Sequence, residues 1–288
     1  MNKKNAVIDI GSNSVRLMLT EKAGVNQKTL NTTRLAENLS LTGFLCEAAM
    51  QRTAKAVEEF FALAKQRGAE EIFVFATEAV RAAKNRTDFV ALLKKRGIEV
   101  DVISGEKEAE IGYLGAAGDK KSATVFDIGG ASVEVVCGRY GKILKKKSLP
   151  LGLVRLKDLL GTGENDIETY VAEKIPQFGE FEKQDTLIGI GGTATAIAAM
   201  LSGETVYTAE KIHGTTISLS QIIALRRKIF DEYKNENLDK IYPIISPLRA
   251  EIIAHGVIVT EHIMRHLGFE EFTVSETDNM EGYLYGGV

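Results

Sequence analysis

Two aspartates, each closing an apolar run and each followed by a turn of glycine and small polar residues, are the part of this sequence best equipped for chemistry. Asp9-Ile10-Gly11-Ser12-Asn13-Ser14-Val15-Arg16 aligns with Asp127-Ile128-Gly129-Gly130-Ala131-Ser132-Val133-Glu134, with Asp, Gly and Ser in register 118 residues apart. A strand that ends in Asp and doubles back through a tight turn sets a carboxylate beside backbone N–H groups. The carboxylate can hold a hydrated Mg²⁺ and the N–H groups can hold phosphate. An Asp that caps its own backbone accounts for one such turn, but poorly for two in register. Asp127, with Glu134 nearby on the returning strand, is the better metal candidate, and Asp9 is the other. Ser12, Asn13, Ser14 and Ser132 are candidate donors to phosphate, with the N–H groups of Gly11, Gly129 and Gly130. A third turn, Gly189-Ile190-Gly191-Gly192-Thr193, lets the backbone approach a ligand closely and presents a helix N-terminus to it. Neither a dinucleotide G-x-G-x-x-G opening a helix nor a P-loop G-x-x-x-x-G-K-[ST] is present. The chemistry indicated is the handling of phosphoryl groups.

The elements that must position these turns alternate between strand and helix, which is the signature of an α/β protein. Residues 6–20 read as a hairpin around the first turn, and 46–67 as an amphipathic helix with Met50, Ala54, Val57, Phe61 and Ala64 inward and Gly68 as its stop. Residues 72–76 read as a buried strand, 86–96 as a helix ended by Gly97, and 98–103 as the next strand. Ser104 is placed to cap a helix running to Ala117. The second half repeats the logic. Strands are expected at 122–128, 132–138 and 142–149, a helix from Leu153, and another at 165–183. A strand then enters the third turn, followed by a helix over 194–201, a long helix over 247–267, a strand over 272–275 and a short end over 279–285. The polar break Gly118-Asp119-Lys120-Lys121 divides the chain into domains 1–118 and 119–288, with the last helix free to pack back on the first. With no flexible linker in sight, two lobes facing each other across one polyphosphate are expected.

Composition narrows the classes. At 288 residues the chain is long for one core and suits two. Hydrophobic residues make up 44% and charged residues 26%, the balance of a globular protein in water. Cys46 and Cys137 stand in no metal-ligand spacing, so a reduced, cytoplasmic setting is expected. Met1 to Asn5 leads into an apolar stretch broken by Asp9, a first strand rather than a signal peptide. A net charge of −3 gives no general attraction to polyanions, so DNA and RNA are not expected partners, and no apolar run approaches the ~18 residues of a membrane span, so no membrane is expected.

In order along the chain, Asp9-Ile10-Gly11-Ser12-Asn13-Ser14, Ala76-Thr77-Glu78-Ala79-Val80-Arg81, Ile103-Ser104-Gly105-Glu106-Lys107-Glu108-Ala109, Asp127-Ile128-Gly129-Gly130-Ala131-Ser132 and Gly189-Ile190-Gly191-Gly192-Thr193 resemble the exopolyphosphatase/guanosine pentaphosphatase family. The likeness runs from Val7 to Gly282 and is to the short, two-domain form of that family, within the actin-like superfamily. It implies two actin-like (ribonuclease H-like) domains related by duplication, with the active site in the interdomain cleft. It implies an exopolyphosphatase that removes terminal phosphate from inorganic polyphosphate with Mg²⁺ or another divalent ion, or alternatively a guanosine pentaphosphate 5′-phosphohydrolase. A homodimer is the family habit. Alone, Glu106 and Glu108 would do no more than complement a helix dipole. The resemblance makes Glu108 the catalytic carboxylate that positions or deprotonates water, and Arg81 the cation set against the scissile phosphate. Gly191, Gly192 and Thr193 would then bind phosphate, Arg16 and Arg34 would extend the positive patch, and Lys107 and Glu110 would be solvated.

Other clusters stay open. Arg139, Lys145, Lys146, Lys147 and Arg155 form the densest basic region of the second half, equally readable as a solvated strand edge guarded by lysines. His255, His262 and His266 share one face of a helix but lack a fourth ligand, so zinc is disfavoured. His213-Gly214 matches a pair found in the family. Several residues depart from the family pattern: Ala131 for a third Gly, Val133 for Thr, Glu110 for Arg, and Asp278-Asn279-Met280-Glu281-Gly282 for Gly-Leu-Arg-Glu-Gly. These changes lower the positive charge available to an anion. They motivate a third reading, a polyphosphate or nucleotide sensor without turnover.

Overall fold

The computed structural model describes residues 4–20, 26–118, 122–232 and 236–286. The chain divides into two compact units, Met1–Glu108 and Ala109–Val288. The polar break expected at Gly118–Lys121 lies, from residue 119 on, outside the described residues.

The first unit is built on a five-stranded sheet of β1 (Asn5–Ile10), β2 (Ser14–Leu19), β3 (Gln27–Thr32), β4 (Glu71–Ala76) and β5 (Asp101–Val102), in the order β3-β2-β1-β4-β5. β1 pairs antiparallel with β2 and parallel with β4. It is covered on both faces, so Ala6, Val7, Ile8 and Ile10 are all fully buried. β3 is an edge strand with almost every residue exposed, and its polar QKTLNT sequence hides it from a search for apolar runs. The helix Glu47–Gln66 buries Ala49, Met50, Ala54, Val57, Phe60 and Ala64. Met50, Ala54, Val57 and Ala64 are inward as expected, but at the aromatic position Phe60 is buried, while Phe61 is only half-buried beneath Lys65 Nζ, 4.6 Å from its ring. β5 is two residues long instead of the six expected at 98–103. Ile98 is still tied to the preceding helix through its N–H to Leu93 O (3.1 Å), which delays the strand.

The second unit carries β6 (Ser122–Ile128), β7 (Val133–Arg139), β8 (Lys142–Leu149), β9 (Thr186–Ile190), β10 (Thr216–Ser218) and β11 (Glu271–Val274), in the order β10-β11-β9-β6-β7-β8. β6, β7 and β8 form an antiparallel meander, and β9 and β11 continue it in parallel. Taken from β8 to β11, this is the β3-β2-β1-β4-β5 arrangement over again. The sequence repeat is thus a structural duplication, to which β10 is an addition. Tyr113, Ala123, Val125, Val136, Ile188 and Ile190 belong to one buried cluster, and Phe126 meets Phe272 edge-to-face at 5.1 Å.

Helix ends follow local chemistry. The long helix Pro247–Leu267 begins with Ser246 accepting from Arg249 N–H (3.3 Å) and Pro247 in the first turn, and it stops at Gly268 in a left-handed conformation. The helix expected over 165–183 ends at Lys174, because Pro176 cannot continue the hydrogen-bond ladder, and a 3₁₀ turn takes over at Ile175–Phe178. The final helix, Asn279–Gly286, opens with reciprocal caps: Met280 N–H donates to Asp278 Oδ1 (3.0 Å) and Asp278 N–H to Glu281 Oε2 (2.9 Å). It crosses the helix Gly105–Ala117 almost backbone to backbone, since a Cβ on Gly282 would strike Ile111 O and one on Gly115 would strike Asp278 O.

Candidate functional site

In the first unit, Ser104 caps the helix Gly105–Ala117 as its sequence suggests, accepting from Lys107 N–H at 3.1 Å. Glu108 then stands one turn in, with its side chain only 9% exposed. Arg81, on the short helix Glu78–Ala82 that follows β4, faces it with Nη2 3.1 Å from Glu108 Oε2. The rest of the guanidinium is also engaged. Nε and Nη2 donate to Glu78 Oε2 (3.0 and 2.7 Å), and Nη1 donates to Ile103 O (2.6 Å). Burial acts to lower the Arg81 pKa, but the charges of Glu108 and Glu78 and their hydrogen bonds outweigh it and raise the value, so the cation is permanent. Sequence reasoning placed Arg81 against phosphate. Here it grips the carboxylate of Glu108. Glu78 was missed, although its place three residues before Arg81 on a helix was a usable signal.

The two aspartate turns close alike. Gly11 N–H donates to Ser14 O at 3.0 Å, and Gly129 N–H to Ser132 O at 2.9 Å. Both N–H groups therefore serve the turn. The first turn is also stitched to the segment after β3, where Thr33 and Arg34 N–H donate to Asn13 O and Ala36 N–H to Ser12 O (3.0, 2.8 and 2.9 Å). Ser12, Asn13 and Ser14 are largely buried as a result. The aspartates themselves differ. Asp9 opposes Arg16 across β1 and β2 and is bound by it, Nε at 3.0 Å and Nη2 at 2.5 Å from Oδ2. Asp127 opposes Glu134 across β6 and β7. One copy thus pairs a carboxylate with a protein cation, and the other pairs two carboxylates on one face, with β-carbons roughly 5 Å apart. Glu134 is buried and accepts from Ser148 Oγ at 2.6 Å, while Asp127 is half-buried.

The third turn converges on Asp127 within the second unit. Gly191 has φ +76°, and a Cβ there would collide with Asp127 Oδ1. Gly191→Ala is expected to cost about 1–2 kcal/mol for the left-handed backbone alone, and to displace the Asp127 carboxylate as well. Urea unfolding checks the first effect. A Cβ on Gly192 would collide with Arg249 Nη2, so this arginine, also missed in the sequence, lies beside the first turn of the helix Gly191–Ser202. The Thr193 hydroxyl is fully buried and donates to Ile128 O at 2.7 Å, so only its N–H is placed to meet an anion. Asn279, from the final helix, donates through Nδ2 to Asp127 Oδ2 at 3.1 Å.

Residues of the remaining clusters meet separate partners within the protein. His255 Nε2 meets Gly161 O (2.7 Å), His262 meets Glu168 (2.8 Å) and His266 meets Gly179 O (3.0 Å), so the three do not converge. Burial lowers the His255 pKa and keeps it neutral. His213 Nδ1 accepts from Glu276 N–H at 3.1 Å. In the basic region, Arg139 pairs with Glu182 (2.6 Å), Lys145 Nζ donates to Glu180 O (2.5 Å) and Arg155 Nε to Ala131 O (3.2 Å). Glu110, expected to be solvated, pairs with Lys146 at 3.6 Å. Among the described residues, no group of three or more His, Cys, Asp or Glu could hold a metal, and no helix is long and apolar enough to cross a membrane.

A protein-family comparison matches residues 19–288 to the Ppx/GppA phosphatase family. The chain belongs to that family. A bifunctional 3-dehydroquinate synthase/phosphatase of Fusobacterium nucleatum is 31% identical over the whole of this chain, which spans 47% of that relative. Exopolyphosphatase 2 of Mycobacterium tuberculosis is 28% identical, with 96% of each chain covered. The crystal structure of the Aquifex aeolicus Ppx/GppA family member superposes with a TM-score of 0.82 at 29% identity, covering 99% of this chain and 97% of that one. The duplicated, actin-like α/β architecture expected from the motifs is the one observed.

Proposed function

We propose that this Ppx/GppA family member is an exopolyphosphatase, hydrolysing the terminal phosphoanhydride of inorganic polyphosphate with Mg²⁺. The observation that carries the reading is a nearly buried carboxylate, Glu108, gripped by an arginine whose other contacts leave it no freedom. A general base needs this kind of fixed aim. Glu108 takes a proton from the attacking water as its oxygen bonds to the terminal phosphorus. The bridging P–O bond breaks, and the shortened chain leaves with the bond's electron pair. In the first unit Ser12, Ser14 and the Asn13 amide are the donors for phosphate oxygens; in the second, Ser132 and the N–H groups of Gly192 and Thr193, with Arg249 beside them, play that part.

The donor set fits Mg²⁺. This ion takes one or two carboxylates and completes its shell with phosphate oxygens and water, so the Asp127–Glu134 pair suffices where a three-ligand cage is missing. Bound there, Mg²⁺ would neutralise charge developing on the phosphoryl oxygens. Asp9, already held by Arg16, keeps an orienting role in the first turn. Phosphate release should stop on removal of divalent ions by chelation and return with added Mg²⁺; release that persists after chelation would refute the metal assignment. The second reading, the same chemistry on the 5′-terminal phosphate of guanosine pentaphosphate, rests on the GppA half of the family and uses the same residues. The intact Glu108–Arg81 pair favours turnover over a sensor.

A further inference from the structure

Asn279 reaches the metal-candidate carboxylate with one half of its amide and leaves the other half unsatisfied. The side chain is 3% exposed, on the first residue of the final helix. Its Nδ2 donates to Asp127 Oδ2 at 3.1 Å, across 152 residues of sequence. Its Oδ1 is buried without a hydrogen-bond partner. That oxygen faces Gly112 and Ile190: a Cβ on Gly112 would lie 2.6 Å from Oδ1 and 3.1 Å from Ile190 Cδ1. Half of the amide is thus satisfied by the metal-candidate carboxylate, and half is stranded among aliphatic groups. Buried polar atoms are nearly always paired, so an orphan at such a position calls for a role that offsets its cost. Leucine has nearly the same shape and would fill the space between Gly112 and Ile190 with no orphan.

We propose that Asn279 is a positioning residue that fixes the Asp127 carboxylate for a divalent cation, at the expense of the stability of the metal-free protein. The proposal rests on the reading of Asp127 as a metal ligand. The amide N–H holds Oδ2, so the carboxylate keeps one rotamer beside Gly191, where no side chain competes for the space. Outer partners of metal ligands act in this way, and their loss costs about 10–100-fold in metal affinity. A purely architectural Asn behaves differently, since its removal would lower stability and leave the cation alone.

The two roles separate in one variant, Asn279→Leu, measured with Mn²⁺ as the probe by electron paramagnetic resonance and by thermal unfolding without metal. The expected result is Mn²⁺ affinity weakened about 10-fold, together with a Tm equal to or above that of the parent. Unchanged Mn²⁺ affinity in the variant, with tight binding by the parent, overturns the role of Asn279 and leaves the metal reading standing. Failure of the parent itself to bind Mn²⁺ removes the metal reading and this inference with it. A Tm that falls by several degrees, with weaker binding only in proportion to the unfolded fraction, also overturns it.

Discussion

Glu108→Gln is expected to lower phosphate release by about 10³-fold, within the 10²–10⁴ range that general-base catalysis supplies, while leaving the fold intact. The amide has the volume of the carboxylate and can still accept from Arg81 Nη2, so the packing against Glu78 and Ile103 O survives. Only the capacity to take a proton is lost. The expected signature is therefore a fall in kcat with KM for polyphosphate nearly unchanged, because binding is assigned to other groups. Steady-state phosphate release, with circular dichroism to confirm folding, checks it. A variant that keeps parental kcat would remove Glu108 from the chemistry.

Arg81→Leu should have the second-largest effect, and it strikes stability and activity together. Arg81 holds Glu78 and Glu108, whose side chains are 17% and 9% exposed. Deleting one member of a buried ionic group leaves uncompensated charge and costs about 3–5 kcal/mol. The partial exposure of Glu78 puts the expectation at the lower end. At a temperature where the variant is still folded, kcat should fall roughly 10²-fold, the price of letting a catalytic group drift by about an ångström. Arg81→Lys should recover less than half of either loss in free energy, since one ammonium cannot serve Glu78, Glu108 and Ile103 O in the same fork. Full recovery by lysine would mean that charge alone matters and that the fork geometry does not.

How much of this was legible in the sequence depends on how local the cause is. β6 and the helix Pro247–Leu267 match their expected bounds, because an apolar run, a Ser-Pro start and a Gly stop are all written within a few residues. The duplication was legible too, and the repeated sheet order bears it out. β3 was not, since an exposed edge strand owes its existence to β2 and not to its own residues. β10 owes its place to pairing with β11, whereas the helix Leu219–Arg227 behind it starts at a Ser218–Gln221 capping box written in the sequence itself.

The candidate site divides the same way. Asp127, Glu134, Glu108 and the Gly191–Gly192 turn could be named from motifs, but their partners could not. Nothing near Asp127 in the sequence announces Asn279 or the collision that demands Gly191. Arg81 could be named as well, but not the contacts to Glu78 and Ile103 O that immobilise it beside Glu108. The divergence of the two repeats, Arg16 against Asp9 and Glu134 against Asp127, was visible as a difference in letters. Only the pairing across each hairpin shows that it converts one copy into an ion pair and leaves the other as a two-carboxylate face.

Removal of terminal phosphate from polyphosphate is the activity proposed for this protein. The most direct test supplies Mg²⁺ and long-chain polyphosphate, guanosine pentaphosphate and ATP in parallel, and follows free phosphate together with the length of the remaining chains. Orthophosphate is expected as the sole small product from polyphosphate, with kcat/KM at least about 10-fold above that for either nucleotide. Phosphate released from guanosine pentaphosphate and not from polyphosphate would contradict it, and would transfer the same site to the nucleotide.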